Sequence, residues 1–108
     1  MLNRPWEIRR YIDENGISPF ERWYSKLDQK TQVRISDRLD RVAVGNFGDF
    51  KSVGKGVYEL RLFFGAGYRI YYATLQGQII LLLAGGDKKK QSRDIKMAQE
   101  HWNRYRAE

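Results

Sequence analysis

Two arginines, Arg61 and Arg69, lie in neighbouring runs of β-forming residues, and their planar guanidinium groups are suited to binding a phosphate. The two runs are joined by Gly-Ala-Gly at residues 65–67, and the flanking glycines permit the positive φ of a tight turn. Residues 57–72 are therefore predicted to form a β-hairpin. The arginines are expected on rigid adjacent strands.

Alternation along these strands predicts which side chains share a face. A turn closed by residues 64 and 68 places Arg61 opposite Tyr71, and Phe63 opposite Arg69. The face that packs on a core then consists of Leu60, Leu62, Phe64, Tyr68, Ile70 and Tyr72. The opposite face consists of Glu59, Arg61, Phe63, Arg69 and Tyr71. This second face is expected to be uncovered, so that two guanidiniums can hold a phosphate and an aromatic ring can stack on a base.

The composition indicates one small basic domain over residues 1–108. Twenty Lys and Arg against thirteen Asp and Glu give a net charge of +7, which favours polyanionic partners and nucleic acid first. The alternative is a basic protein without such a partner. With no cysteine, one histidine and no clustered carboxylates, neither a metal nor a cofactor is expected. The absence of an apolar run of about 18 residues and of a leader segment favours a cytoplasmic protein without a membrane partner.

Periodicity and capping residues predict the N-terminal elements. Residues 5–12 are typical of a strand, and a helix over about residues 19–26 is expected to begin at Ser18. A second helix over residues 28–44 ends at Gly45, which suits a helix stop. A helical hairpin is therefore predicted after the first strand.

The second half of the chain is predicted to be richer in strands. Residues 45–56, with Lys51 and Lys55, form either a mobile basic loop or a short edge strand. Residues 79–84 are apolar at every position, as in a strand buried on both faces near the centre of a sheet. A last amphipathic helix covers about residues 91–105. The order is strand, two helices, three strands and helix, which predicts an α+β domain with the helices on one side of the sheet.

Several motifs occur in an order typical of one bacterial family. They are Tyr-Glu-Leu-Arg at 58–61, Gly-Tyr-Arg-Ile-Tyr-Tyr at 67–72, an apolar strand, Gly-Asp-Lys at 86–88, and Asp94, Ile95 and Ala98 on the last helix. In these the chain resembles the RelE/ParE superfamily of type II toxins, most closely its HigB-like branch of phage-derived addiction module killer proteins. The resemblance implies a small RelE-like fold, with an antiparallel-rich twisted sheet, an N-terminal helical hairpin and a C-terminal helix.

The resemblance implies a toxin, and the superfamily acts in two ways. RelE-like and HigB-like members cut messenger RNA in the ribosomal A site, without a metal, and leave a 2′,3′-cyclic phosphate. ParE-like members poison DNA gyrase and cleave nothing. A ribosome-dependent mRNA endonuclease is the leading expectation, and a gyrase poison or a binding module with lost activity is the alternative. A helix-turn-helix antitoxin is the expected partner, and operator DNA is bound only through their complex.

The motif positions of the family also imply site residues. Arg61 and Arg69 match residues that clamp and neutralise the phosphate, and Lys88 matches one that adds charge or donates a proton. The residues expected to bind substrate are Tyr71, Lys51, Lys55, Lys89 and Asp94. A lysine run at a helix entrance is, alternatively, an ordinary solvated surface.

Two positions depart from the RelE pattern. Glu59 stands where the RelE branch has a lysine, which removes a candidate base. Asp94 stands where relatives carry a tyrosine, and it serves either as a carboxylate in the site or as a first-turn aspartate stabilised by the helix dipole. His101, next to the apolar stripe of the last helix, is expected at a boundary and not in catalysis.

Overall fold

A five-stranded mixed sheet dominates the computed structural model, which describes residues 5–108. Along the sheet the strands lie in the order β1-β5-β4-β3-β2, where β1 is Glu7–Arg10, β2 is Phe50–Gly54, β3 is Val57–Leu62, β4 is Tyr68–Leu75 and β5 is Ile79–Gly86. The pair β1–β5 is parallel and the other three pairs are antiparallel. The predicted α+β class with an antiparallel-rich sheet is confirmed. Residues 1–4 of the predicted domain lie outside the described residues.

In the described part of the chain, three α-helices accompany the sheet: α1 (Pro19–Tyr24), α2 (Gln29–Ala43) and α3 (Gln91–Ala107), with a 3₁₀ turn at Lys88–Lys90 before α3. The predicted caps are present, because Ser18 accepts a hydrogen bond from the Glu21 backbone N–H at 3.1 Å and Asp28 accepts one from Thr31 at 2.9 Å. None of the helices in the described part of the chain combines the length and the apolarity needed to cross a bilayer.

Helices cover both faces of the sheet. The core under α1 and α2 contains Phe20, Ile35, Val42, Leu60, Leu62, Ile70, Tyr72, Ile80 and Leu82. The core under α3 contains Tyr11, Val57, Tyr71, Ala73, Leu81, Leu83, Ala84, Ala98 and Trp102. The expectation that all helices lie on one side is therefore wrong. Because strands β4 and β5 carry apolar side chains on both faces, each face needs a covering layer.

The strand predictions were largely right, with one strand more than expected. β5 lies between β1 and β4 and is buried along most of its length on both faces, as predicted, although β4 occupies the centre of the sheet. Of the two alternatives for residues 45–56, the edge strand is observed as β2, paired antiparallel with β3. Four strands, not three, therefore follow the two helices.

The β3–β4 hairpin forms in a register two residues away from the predicted one. Arg61 lies opposite Arg69, not opposite Tyr71. The turn closes where the Gly67 N–H donates to the Phe64 carbonyl at 3.0 Å, with positive φ at the glycines of residues 65 and 67. A shift of two residues leaves each side chain on its predicted face but changes its neighbour across the strands.

Candidate functional site

Arg61, Arg69 and Lys88 line one open pocket at the turn end of the β3–β4 hairpin. The two arginines are directly opposite each other across the hairpin. Lys88 reaches the same place because β5 pairs with β4 so that Gly86 lies opposite Arg69, two residues before the lysine. The structure thus brings together the three residues predicted to act on a phosphate. We call this the arginine pocket.

Glu59 is a fully buried carboxylate, 0% exposed, that holds both arginines. Its Oε1 accepts a hydrogen bond from Arg61 Nε at 3.2 Å, and its Oε2 lies 3.6 Å from Arg69 Nε. Gln91, the first residue of α3, donates from Nε2 to the same Oε2 at 2.9 Å. One negative charge between two guanidiniums removes most of their repulsion and leaves the pair with a net positive charge.

The two arginine side chains differ in how firmly their surroundings fix them. Arg69 is only 8% exposed, and its Nη1 donates to the Gly67 carbonyl at 2.7 Å, so its guanidinium is fixed between the loop and Glu59. The Arg61 side chain is 29% exposed, and within residues 5–108 Glu59 is its one hydrogen-bond partner. The Lys88 backbone N–H donates to the Ala66 carbonyl at 3.3 Å, which ties the 3₁₀ turn to the loop. The pocket therefore has one rigid cation and two more mobile ones.

The arginine face of the sheet is not uncovered as predicted. Tyr71 is completely buried under α3, in the same core as Ala98 and Trp102, so its ring is not available to stack on a base. Burial, and then the charge of nearby Glu59, raises the pKa of Tyr71 above its ordinary value. The physical reason is that the apolar residues farther along β4 and β5 require α3 as a cover. The prediction that Tyr71 lies on an open surface is wrong.

Phe63 supplies the exposed ring that Tyr71 does not. Its side chain is 75% exposed and it lines the arginine pocket from the loop.

Arg38 supports the strand that carries Arg61, and this role was not predicted from the sequence. Its buried guanidinium donates to the carbonyl oxygens of Arg61 at 2.6 Å, Phe47 at 2.8 Å and Asp49 at 2.9 Å. Its position three residues after buried Ile35, on the apolar stripe of α2, was the available signal.

The other lysines predicted to bind substrate do not line the arginine pocket. Lys51 is exposed on edge strand β2, opposite Glu59. Lys55 lies at the far end of β3 and lines a separate depression with Lys96 and Arg106 on α3. Lys89 is exposed in the 3₁₀ turn next to Lys88. Lys51 and Lys89 thus border the site, whereas Lys55 is remote from it.

Asp94 lies in a different pocket, between α1, the end of β5 and α3. We call this the α1–α3 pocket. Asp94 is 7% exposed, and burial raises its pKa above the ordinary value, although Arg93 and Lys90 oppose the shift. His101 lines the same pocket, stacks on Tyr11 at 5.1 Å between ring centroids, and has its pKa lowered by burial. Asp94 and the three predicted catalytic residues are therefore not part of one cluster.

The chain belongs to a known family of phage-derived proteins. Residues 22–105 match the family described as "Phage derived protein Gp49-like (DUF891)", and this range contains every residue that lines the arginine pocket and most of those that line the α1–α3 pocket. An uncharacterized protein of Haemophilus influenzae is 46% identical over 81 residues, which is 74% of this chain and 82% of the relative. The chain is therefore a Gp49-like protein, and membership in this family is consistent with an addiction-module killer protein.

Proposed function

We propose that this Gp49-like protein is the toxin of a type II toxin–antitoxin module, in the HigB-like branch of the RelE/ParE superfamily, and that it cuts messenger RNA on the ribosome. The observation that carries the proposal is the convergence of Arg61, Arg69 and Lys88 on one open pocket, with Glu59 holding the two guanidiniums in place. The phage-derived family supports the toxin assignment. The net charge of +7 suits a ribosomal, phosphate-rich target.

The proposed reaction is an internal transesterification of RNA. The 2′-oxygen gives its proton to a solvent water and bonds to the adjacent phosphorus, while the bond from phosphorus to the 5′-oxygen breaks. Arg69 and Arg61 neutralise the charge that grows on the phosphate oxygens, and the fixed Arg69 guanidinium needs no reorganisation to do so. The Lys88 ammonium gives its proton to the departing 5′-oxygen. Phe63 stacks on a neighbouring base, which is worth about 1–3 kcal/mol in sites that bind single strands.

A second candidate function is binding without cleavage, as in a gyrase poison or a binding module that has lost its activity. The observation that favours it is the chemistry of the pocket lining. Among the described residues that line the arginine pocket, the ionisable ones are Arg61, Arg69 and Lys88, all of them cations. A group that readily accepts the 2′ proton near neutral pH is missing from that set. This arrangement can grip a phosphate group without breaking it.

The proposed partner in either case is a small helix-turn-helix antitoxin. It would cover the arginine pocket, and operator DNA would be bound through the complex. Because the toxin carries a high positive charge, we expect the covering segment of the antitoxin to be acidic.

The test is expression without the antitoxin, followed by mapping of transcript 5′ ends with translation running and with translation blocked. Cuts confined to translated frames, absent in Arg69→Lys, support the proposal. The Lys variant keeps the charge but loses the planar fork. Arg104→Ala, which removes an exposed surface arginine, is the matched control and should cut normally. Intact transcripts together with gyrase-linked DNA breaks would instead support the second candidate.

A further inference from the structure

A second group of cations lies at the end of β3 that is far from the arginine pocket. Lys55, in the turn between β2 and β3, lines a depression there with Lys96 and Arg106 of α3. All three residues are exposed, and in the described part of the chain none of them forms an ion pair. We call this the basic depression. It concentrates positive charge that no described carboxylate pairs with.

The turn that carries Lys55 is fastened to α3. Gln99 Nε2 donates a hydrogen bond to the Val53 carbonyl at 3.0 Å. A Cβ atom at Gly56 would lie 2.7 Å from Trp102 Nε1, so the main chain of the turn rests directly on the indole ring. Lys55 is therefore held beside α3, and is not at the tip of a loose hairpin.

The backbone conformation of Lys55 is unusual for a lysine. Lys55 has a φ of 56° and Gly56 a φ of 83°, and Gly54 pairs with Val57 on either side of them, as in a two-residue type I′ hairpin turn. Such turns favour Asn, Asp or Gly at the first of the two positions, because other side chains are crowded there. Gln76 has the same conformation in the β4–β5 turn, so the strain alone does not define a site. In the β2–β3 turn, however, the strained position adds a cation to the two of α3.

The lining of the basic depression indicates the chemistry of its partner. The side chains that line it besides the three cations are polar: Gln99, Glu100 and Asn103. Among the described residues, no apolar side chain lines it. A protein partner ordinarily needs an apolar or aromatic anchor at the centre of its interface, whereas a phosphate backbone is bound by cations and N–H donors alone. A nucleic-acid backbone therefore fits the basic depression better than an acidic peptide does.

Lys51 lies between the basic depression and the arginine pocket. It is exposed on edge strand β2, directly opposite Glu59, which is midway between Val57 and Arg61 along β3. The path from Val57 to Arg61 is about 14 Å long at ~3.4 Å per residue. A stacked single strand covers that distance in about four nucleotides. Among the described residues that line the two pockets, Glu100 is the one carboxylate, so a strand that spans both meets mainly cations.

We infer that the basic depression is a second phosphate-binding site for the RNA strand that enters the arginine pocket, and that the strand runs along β2 past Lys51. The inference rests on the proposed RNA ligand but not on its cleavage. The three cations contact the backbone and not the bases, because the ring beside Arg106, that of Trp102, is buried. Binding at the depression is therefore independent of sequence and depends on the length of the strand.

The main test is fluorescence anisotropy of the full chain with 2′-O-methyl RNAs of three and of twelve nucleotides. The trinucleotide is too short to reach both sites. A triple variant that removes the three cations (Lys55→Asn, Lys96→Gln and Arg106→Gln) should weaken binding of the 12-mer at least ~10-fold, and of the trinucleotide less than ~2-fold. Each lost contact should also reduce the slope of log Kd against log salt by about 0.7. Equal losses for the two lengths, an unchanged 12-mer affinity, or no binding of the 12-mer to the unaltered chain would overturn the inference.

A control variant with the same change in net charge tests whether position matters. It combines Lys30→Gln, Arg41→Gln and Arg104→Gln, at exposed residues that line neither the basic depression nor the arginine pocket. This variant should bind both RNAs within about 2-fold of the unaltered chain. A loss of 12-mer affinity as large as that of the first triple variant would assign the effect to overall charge and overturn the inference.

Two single variants separate the RNA contact from the fold. Lys55→Asn introduces a residue that suits the positive φ of the turn, so it should maintain or raise the thermal midpoint while it weakens binding of the 12-mer roughly 3-fold. Gln76→Asn makes the corresponding change in the β4–β5 turn and should leave the RNA affinity unchanged. A loss of 12-mer affinity in both variants, or in neither, would overturn the inference.

A last arm tests an acidic protein segment as the occupant. An octapeptide of glutamate that displaces the 12-mer at equal concentration, and loses its binding in the Lys55→Asn chain, would overturn the inference. Because 2′-O-methyl RNA cannot be cut, these results are independent of cleavage. Normal transcript cutting together with unchanged 12-mer binding by the first triple variant would overturn this inference alone. Length-dependent binding without any cuts would overturn the proposed cleavage alone.

Discussion

Glu59 and Asp94 are both buried carboxylates on the side of the sheet that α3 covers, but their surroundings are opposite. Glu59 accepts hydrogen bonds from Arg61 and Gln91, and its Oε2 lies 3.6 Å from Arg69 Nε, so its charge faces two guanidiniums. Asp94 has an oxygen that no donor reaches within residues 5–108. The compensated carboxylate organises cations that face an open pocket. The uncompensated one is buried without a hydrogen bond to offset the cost of removing it from water.

The largest expected effect comes from breaking the compensation of Glu59. Arg69→Ala removes a buried partner and leaves the Glu59 charge with Arg61 alone, so we expect a loss of about 3 kcal/mol in the free energy of unfolding. Urea denaturation measures it. Adding Glu59→Gln to the same chain should recover a large part of the loss, because the stranded charge disappears. Equal instability of the single and double variants would contradict the view of Glu59 as a paired charge.

An exposed ion pair is the control for the buried pair of Arg69 and Glu59. Arg104 makes a 2.9 Å ion pair with Glu14, and both side chains are largely exposed. Arg104→Ala should change the free energy of unfolding by less than about 0.5 kcal/mol. A loss as large as that of Arg69→Ala would mean that burial does not distinguish the two pairs.

The next effect concerns binding at the arginine pocket. Phe63→Ala should weaken binding of an uncleavable 2′-O-methyl RNA by about 1–3 kcal/mol, because the exposed ring of the arginine pocket is lost. Fluorescence anisotropy measures it. The same variant should change the free energy of unfolding by less than about 0.5 kcal/mol, since the Phe63 side chain is 75% exposed. A loss of stability as large as the loss of binding would mean that Phe63 supports the fold and not the contact with RNA.

Apart from the control Arg104→Ala, the smallest expected effect is a gain in stability from Asp94→Asn. Burial raises the pKa of Asp94 in the folded chain. At neutral pH the charged carboxylate is therefore less favourable in the folded state than in the unfolded state, where water surrounds it. The variant should be more stable by about 1 kcal/mol at pH 7. The gain should vanish near about pH 3, below the ordinary aspartate pKa, where both states are protonated. Thermal melts at the two pH values measure it, and a gain that persists in acid would contradict the charge explanation.

Features set by local sequence could be predicted. The caps at Ser18 and Asp28 follow from short-range chemistry, and the apolar run of β5 follows from its composition. The prediction of which side chains share a face of the hairpin was right, because a register shift of two residues does not change the alternation. The register itself was wrong because the choice of turn, closed between Phe64 and Gly67, is not contained in the alternation.

Features set by distant contacts could not be predicted. Tyr71 shares its face with Glu59 and Arg69, so the local pattern indicates a polar surface. Its burial depends on where α3 docks, about 30 residues later in the chain. Asp94 reads locally as a first-turn aspartate, and only the approach of α1 across the end of β5 encloses it. Lys88 was predicted to lie near the two arginines because the motifs resemble those of a known family. The alternation of polar and apolar residues does not predict it.

The three hydrogen bonds of Arg38 have a consequence for how this fold can diverge. Each one ends on a main-chain oxygen, so the link between α2, the segment before β2 and strand β3 is indifferent to the side chains at positions 47, 49 and 61. The three bonds therefore persist when the side chain at position 49 or 61 changes, whereas the Phe47 side chain is kept in place by its own packing against Trp6, Phe50 and Tyr72. Strand β3 can therefore carry a different residue at position 61, and so present a different functional group to the arginine pocket, while it stays bound to α2.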